Sequence, residues 1–572
     1  MAALEKYEWI IAIISVAFCA SAFGNGANDV ANSYATSIAA RTLTMPQVGF
    51  LSMCTEFFGA VALGSRVVGT IKNGIIDINK FSPAPATLVL AMGCAEVGSA
   101  TWLIIATKAG LPVSTTQTVV GALIGVGLAT NAKIKWEWAP GSASQIGASW
   151  VVSPLISAVV AALLFGTVKF LVLERSDPFK QAMRFIPSYL AFTATALALF
   201  LLVELPSAES LDAMGPGTVF GILASVFFGV LGIAYAFFLP YFHRRLVKCD
   251  GRVRAWHIPL GPLLYRENPP LYFPGNPDEG IVKDYYQKKK TKDIEGSPEI
   301  VANDIAAADK TGSIGVEVTD TTVSSTTMMI EPEERFLAPY KHLPYHHPAR
   351  IWSIIKYIAL QGVTRDCVNH NGGHLAKVHA AAKQYDNRVE HLWTYAQVAS
   401  AMMMSIAHGS NDVANAVGPW VAAYSTYMDG FVSPQTNTPI WILVIAGFLL
   451  GAGFWFFGYH IVRALGNKIT QMSPTRGFAI ELGSAITVLM ASRLGLPVST
   501  TQCLAGATMG VALMNFTAGA VNWKQLGIIF SGWVMTLPIS ALVSGSIMAM
   551  ALNTPQFPVM MQPVNILASA VV

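Results

Sequence analysis

Asn28, Asp29 and Asn32 lie in the stretch G-A-N-D-V-A-N at 26–32, and Asn411, Asp412 and Asn415 in G-S-N-D-V-A-N at 409–415. On a helix Asn28 and Asn32 share a face, with Asp29 beside it. A carboxylate flanked by amides suits hard monovalent cations, which favour carboxylate and carbonyl oxygen. Gly24 and Gly26, just before the first set, predict a broken or unwound helix. A second motif, G-L-P-V-S-T-T-Q, occurs at 110–117 and again at 495–502. Its hydroxyls, Ser114, Thr115 and Thr116 and then Ser499, Thr500 and Thr501, follow Pro112 and Pro497 and open apolar runs. A helix starting there offers free N–H groups and a partial positive charge to an oxyanion, and the hydroxyls add donors. Capping is the plainer role for such hydroxyls, and interhelical packing the plainer role for the amides. Three successive hydroxyls and an N-D-x-x-N set, each occurring twice, exceed what capping and packing require.

Other carboxylates fall in apolar runs. Glu56 and Glu481 are candidate cation or gating groups, and Glu96 a weaker one; a carboxylate in a span marks a functional path by default. Arg66 and Arg463 are expected either to partner some of them or to snorkel at span ends. The motifs contain no basic residue, which suits an anion bound together with cations. Na⁺ held between an aspartate and the anion would cancel their repulsion and couple the two fluxes. An aspartate could also accept a hydrogen bond from a protonated phosphate oxygen; sulfate, unprotonated at neutral pH, lacks that proton. No cofactor is expected beyond the co-transported ion.

The elements that position these residues are read from composition. Of 572 residues 53% are hydrophobic and 12% charged, about half the charged fraction of a soluble domain. Apolar runs fall near 9–39, 46–68, 86–107, 113–130, 143–173, 186–204 and 215–242, then near 392–419, 437–462, 477–492, 498–515 and 525–552. These predict an all-α polytopic membrane protein with about twelve helices of near-spanning length. The runs 113–130 and 498–515, short and polar at their starts, suit hairpins or half-helices. The six cysteines are read as isolated packing residues. The N-terminus lacks a signal-peptide pattern, so the first span should be retained.

Between an N-terminal membrane half (1–242) and a C-terminal one (392–552) lies a polar loop, 243–391, holding 20 of the 37 Lys and Arg residues. That distribution predicts a cytoplasmic loop with both termini outside, including the C-terminal tail 553–572. Residues 290–335, rich in Ser, Thr, Asp and Glu, are expected to be disordered.

The order of the shared motifs, with E-V-G-S-A at 96–100 matched by E-L-G-S-A at 481–485, marks an internal duplication. Its first copy is about 7–173, followed by two further spans. An odd number of crossings before the loop would make the repeats inverted, as in secondary transporters; the inference depends on whether 113–130 crosses. Gly121 with Gly125, and Gly506 with Gly510, predict close helix packing.

With these motifs the chain resembles the inorganic phosphate transporter (PiT) family of sodium- or proton-coupled symporters. The resemblance rests on G-A-N-D-V-A-N at 26–32, A-H-G-S-N-D-V-A-N at 407–415 and P-V-S-T-T at 112–116 and 497–501; Y-D-N-R-V-E at 385–390 looks like the eukaryotic, especially fungal, branch. It implies about twelve spans, a large cytoplasmic loop, Na⁺ co-transport in the eukaryotic branch, and phosphate and cation residues at Asn28, Asp29, Asn32, Ser114, Thr115, Thr116, Asn411, Asp412, Asn415, Ser499, Thr500 and Thr501; the expected location is the plasma membrane. Glu56 and Glu481 stand where the family has carboxylates implicated in transport. Gln117 and Gln502 replace a histidine common in relatives, so Na⁺ against H⁺ coupling stays open. The expected partners are inorganic phosphate, Na⁺ or H⁺, the bilayer and a second copy in a homodimer, with no nucleic acid. Competing readings are a sulfate permease on the same scaffold, a phosphate-sensing transporter-receptor, and an intramembrane aspartyl enzyme. The last lacks a G-x-G-D motif, and the flanking amides suit ion ligation better.

Overall fold

Punctuating residues turn each apolar run into a helix. Pro46, Pro85 and Pro216 stand in first turns, where the missing N–H has no cost. Ser114, Ser142, Ser499 and Asn522 cap four other helices with their side-chain oxygens. The computed structural model describes residues 3–139, 142–204, 214–277, 281–286, 331–368, 373–433, 438–494 and 496–554. The first half holds α1 (Glu8–Ala39), α2 (Met45–Leu63), α3 (Ser65–Asn73), α4 (Pro85–Lys108), α5 (Thr115–Ala129), α6 (Ala143–Leu173), α7 (Pro178–Glu204) and α8 (Pro216–Val247). The loop carries α9 (Pro348–Leu360) and α10 (Gly373–Ala381). The second half holds α11 (Asn387–Asp429), α12 (Ile440–Phe457), α13 (Tyr459–Ile469), α14 (Pro474–Arg493), α15 (Thr500–Leu513) and α16 (Trp523–Asn553). There is no β-strand among the described residues, only an isolated bridge between Ile76 and Ile134.

Every predicted run coincides with a helix. Seven of the described helices (α1, α4, α6, α7, α8, α12 and α16) are long and apolar enough to cross a membrane. α5 has 15 residues, about 22 Å of helix against the ~30 Å of a hydrocarbon core. The helices that carry most of the candidate polar residues, α2, α11, α14 and α15, fall outside the set of seven.

One expectation is corrected. Asn28 and Asp29 sit in an unbroken helix, as do Asn411 and Asp412. The glycines serve close approach instead of unwinding. A Cβ on Gly26 would stand 1.9 Å from the Leu450 carbonyl oxygen, and one on Gly409 2.7 Å from that of Glu56. α1 thus beds on α12, and α11 on α2.

The same reciprocity runs through the molecule. α5 packs on α16 and α15 on α6, so a helix of each copy is completed by one from the other. The predicted glycine faces make these contacts: Gly121 and Gly125 meet Leu537 and Ala541, while Gly506 and Gly510 meet Pro154 and Ala158. α1 and α11 run antiparallel. Ala3 N bonds Met428 O, Asn25 bonds Asp412 O, and Thr42 bonds Gln397.

α4 and α5 form a hairpin. α4 accompanies α1 from Ile14, beside Gly93, to Asn28, which bonds Thr107. The chain then turns back, and the end of α5 returns to the start of α4, where Asp77 N bonds Lys133 O. α14 and α15 do the same from the opposite end: Asn515, just beyond α15, meets Arg476 at the start of α14. The hairpin tips touch, Thr116 bonding Val498 O and Thr501 bonding Val113 O.

α8 continues to Val247, with Arg244 and Arg245 buried and Arg244 paired to Asp250 at 2.9 Å. The Asp250 carboxyl is pushed down to about 2 by the Arg252 and Arg244 guanidiniums. Of the stretch expected to be disordered, 290–330 lies outside the described residues. Residues 331–335 are held: Glu331 pairs with Arg463 at 2.7 Å and Arg365 at 3.2 Å, and Glu333 pairs with Arg365. Arg463 therefore partners a loop glutamate, not one of the carboxylates in the apolar runs. The Arg66 side chain and the tail beyond 554 lie outside the described residues.

Candidate ion and oxyanion site

The hairpin tips meet on the facing sides of α1 and α11, and this brings both signatures of both halves together. Asp29 Oδ2 accepts from the Thr115 hydroxyl at 2.7 Å and from Thr115 N at 3.2 Å. Its Oδ1 accepts from Thr501 at 2.9 Å and from Asn32 at 3.3 Å. The carboxylate thus lies at the N-terminal end of α5, where the helix dipole favours negative charge. In the other copy Asp412 Oδ2 accepts from the Thr500 hydroxyl at 3.0 Å. The asparagines cross between copies. Asn32 donates to Thr501 at 2.8 Å, and Asn415 to Thr115 at 2.9 Å and Thr116 at 3.2 Å. All these side chains are buried.

Ser114 and Ser499 are the caps of α5 and α15, accepting from Gln117 N and Gln502 N. Asn28 is committed to the hairpin tip: it donates to Thr107 and Leu111 O and accepts from Val113 N. The amides and hydroxyls of the two motifs thus bond one another and the aspartates. Three threonine hydroxyls donate to the aspartates, because a buried carboxylate is costly unless donors surround it. Asn411 is buried beside Asp412.

Several buried acceptor oxygens in this region have no protein donor among the described residues: Asn25 Oδ1, Asn32 Oδ1, Asn415 Oδ1, Asp412 Oδ1, Gln117 Oε1 and Gln502 Oε1. An unsatisfied buried acceptor is expensive. A concentration of neutral and anionic oxygens of this kind matches the ligand set of a hard cation.

The outlying glutamates differ. Glu481 is brought to α1 and α11, accepting from Thr36 at 2.6 Å, Ser37 at 2.7 Å, Gln397 at 3.2 Å and Ser400 at 2.7 Å. Glu56 accepts from Ser405 at 2.5 Å and meets His408 Nδ1 at 2.7 Å. Glu96, the counterpart of Glu481, is buried beside Ser21 with no comparable set of donors among the described residues.

His408 was missed by reasoning from the sequence. Its Nε2 lies 3.1 Å from Asp412 Oδ2, so it joins Glu56 to the site. Ligand atoms of Asp29, His408 and Asp412 all lie within 4.8 Å of one another. The i, i+4 spacing of His408 and Asp412 was the available signal. His408 also breaks the internal symmetry. Asn25 holds the equivalent position, one residue before the signature glycine. Leu450, whose carbonyl faces Gly26 as that of Glu56 faces Gly409, holds the place of Glu56.

A buried polar centre between two reciprocally packed halves, in a chain of long apolar helices, defines a polytopic membrane protein of the transporter class. Residues 25–544 match the model of the phosphate transporter family. The chain belongs to that family, which is a family of transporters and not of enzymes. It is 35% identical to the phosphate-repressible phosphate permease pho-4 of Neurospora crassa, over 97% of this chain and 99% of that one. It is 25% identical to sodium-dependent phosphate transporter 1 of Mus musculus, over 95% and 96% of the two chains. A solved structure described as the sodium-dependent phosphate transporter shares the fold, with a TM-score of 0.58 and 23% identity, over 95% of this chain and all of that one.

Proposed function

We propose that the chain carries inorganic phosphate across a membrane in symport with cations, Na⁺ foremost, by alternating access. The observation that carries this reading is the crossed site, where Asn32, Asn415 and Asp412, each with a buried oxygen that has no protein donor among the described residues, bond the hydroxyls at two helix starts. Asp29, Asn32, Asp412 and Asn415 are the proposed inner cation ligands, with Glu56 and Glu481 as outer ones. Thr115, Thr116, Thr500 and Thr501 are the proposed phosphate donors, released from the aspartates when a cation takes over the carboxylate charge. Ser114, Ser499 and Asn28 hold those donors in place, Asn411 is a further proposed phosphate ligand, and Asp29 and Asp412 would accept from a protonated phosphate oxygen. The names of the fungal and animal relatives support both substrate and ion.

The two hairpins are proposed to be re-entrant, entering the bilayer from opposite faces. That leaves α1, α2, α6, α7 and α8 as crossings before the loop, still an odd number. An inverted second copy follows, and the antiparallel course of α1 and α11 supports it. With the basic loop in the cytoplasm, both termini lie outside the plasma membrane. A homodimer is proposed without a named interface.

A second reading, H⁺ in place of Na⁺, is favoured by one contact. His408 bridges Glu56 and Asp412, a chain of protonatable groups leading to the site. Phosphate uptake into proteoliposomes, with Na⁺ and H⁺ gradients imposed separately, decides between them. Asp29→Asn and Asp412→Asn should abolish Na⁺-driven uptake while the protein still reaches the membrane. Unchanged kinetics in both variants would overturn the site, and uptake of sulfate in place of phosphate would overturn the substrate.

A further inference from the structure

We propose that α9, in the central loop, lies flat in the membrane surface with its apolar face in the lipid of the loop-side leaflet. α9 is built inside out for a helix surrounded by water. Its outward residues are Ile351, Trp352, Ile355 and Ile358, between 44% and 58% exposed. At 100° per residue they form one arc of about 120°. The polar contacts lie on the opposite side, where Ser353 bonds Phe336 O and Tyr357 bonds Glu333 at 3.0 Å. A loop helix facing only water would show the reverse pattern.

Its position says what covers the arc. The end of α9 is fastened to the end of α12, one of the seven helices long and apolar enough to cross. Trp455 Nε1 donates to Ala359 O at 2.7 Å, and Gly362 sits against the Trp455 and Phe456 carbonyls. Trp455 also packs on Gly49 at the start of α2, next to the outward-facing Phe50. The arc therefore stands at the loop-side ends of α2 and α12, whose outward apolar residues include Phe50, Val444 and Phe448. Its 13 residues are too few to span and enough to lie in the interface.

Charge agrees with that placement. Lys356 borders the arc beside Trp352. A basic side chain next to an aromatic ring at the rim of an apolar face matches the chemistry of lipid headgroups. The stretch 290–330 of the loop is rich in Ser, Thr, Asp and Glu, a poor composition for an apolar cover. α9 would anchor the loop at the membrane and hold Glu331 and Glu333 where Arg365 and Arg463 meet them.

The proposal rests on the membrane reading, and its test separates the two. Nitroxide labels are placed at Ile355→Cys, Ile358→Cys and, as a lipid-facing reference, Phe448→Cys. The background is full-length protein with Cys19, Cys54 and Cys249 replaced by alanine, reconstituted in phosphatidylcholine–phosphatidylserine liposomes. Collision with oxygen and with a water-soluble nickel chelate is compared at each label. The expected result is preference for oxygen at all three sites, several-fold over the chelate. Preference for the chelate at 355 and 358, with 448 still lipid-like, overturns the proposal alone. Protection from both reagents also overturns it, pointing to a second copy if the labels broaden one another and to the chain's own loop if they do not. A chelate-accessible 448 would defeat the membrane reading itself.

Discussion

Asn32 on α1 donates to the hydroxyl of Thr501 at the start of α15, 2.8 Å away and 469 residues later in the chain. Thr501 in turn donates to Asp29 at 2.9 Å. One hydroxyl of the second copy thus ties together two signature residues of the first. Thr501→Val keeps the shape and removes the donor. Losing a hydrogen bond to a charged group is worth about 1.5–3 kcal/mol, which corresponds to roughly 10–100-fold in rate constant. Initial rates of phosphate uptake should fall by that order, and Thr501→Ser should restore most of the loss. Equal rates in the valine variant would remove Thr501 from the transport pathway.

The glycines before the signatures act through contact. Gly26→Ala puts a methyl group into the Leu450 carbonyl, so one helix must move. Overpacking of this kind costs about 1–3 kcal/mol. Gly217 and Gly221 on α8 have open space around them. Thermal unfolding in detergent should show a lowered midpoint for Gly26→Ala and none for Gly217→Ala. A normal midpoint for Gly26→Ala would mean that α1 and α12 are not packed this closely.

Glu481 and Glu96 match in sequence and differ in surroundings. Glu481→Gln turns an amide N–H₂ toward one or more of four donors and should cost about 1–3 kcal/mol in stability or transport. Glu96→Gln disturbs no such set and should stay close to wild type. Uptake and unfolding measured side by side check the contrast; equal damage in both would show that burial, and not the donor set, decides.

His408→Asn places the residue of its counterpart, Asn25, between Glu56 and Asp412. If a proton moves along this chain, the variant should flatten the dependence of uptake on pH between about 5.5 and 7.5, the range in which imidazole ordinarily titrates. An unchanged pH profile with retained uptake would exclude His408 as a proton carrier.

Deleting 290–330 should leave uptake and membrane targeting intact. Extending the deletion to 335 removes Glu331 and Glu333 and frees Arg365 and Arg463. The longer deletion should therefore lower the unfolding midpoint by a few degrees, while the shorter one does not. Complete loss of uptake on the shorter deletion would show that this stretch is structural.

The helices, the duplication and most of the residues that meet at the hairpin tips were legible in the sequence, because these rest on local patterns. Apolar runs of spanning length make helices in lipid whatever they pack against. A motif repeated in order betrays its twin without any structure. Asp29, Asn32, Thr115 and their counterparts were visible because polar residues in apolar runs have few innocent explanations. Tertiary structure alone decided how they are joined. Gly26 and Gly409 read as helix breaks, since sequence gives a glycine's freedom and not the neighbour that needs its missing Cβ. The crossed bonds of Asn32 to Thr501 and Asn415 to Thr116, the place of His408 beside Glu56, and the pairing of Arg463 with Glu331 all join segments far apart in the chain. Such contacts follow from how the hairpins meet, and no local pattern encodes a meeting of that kind.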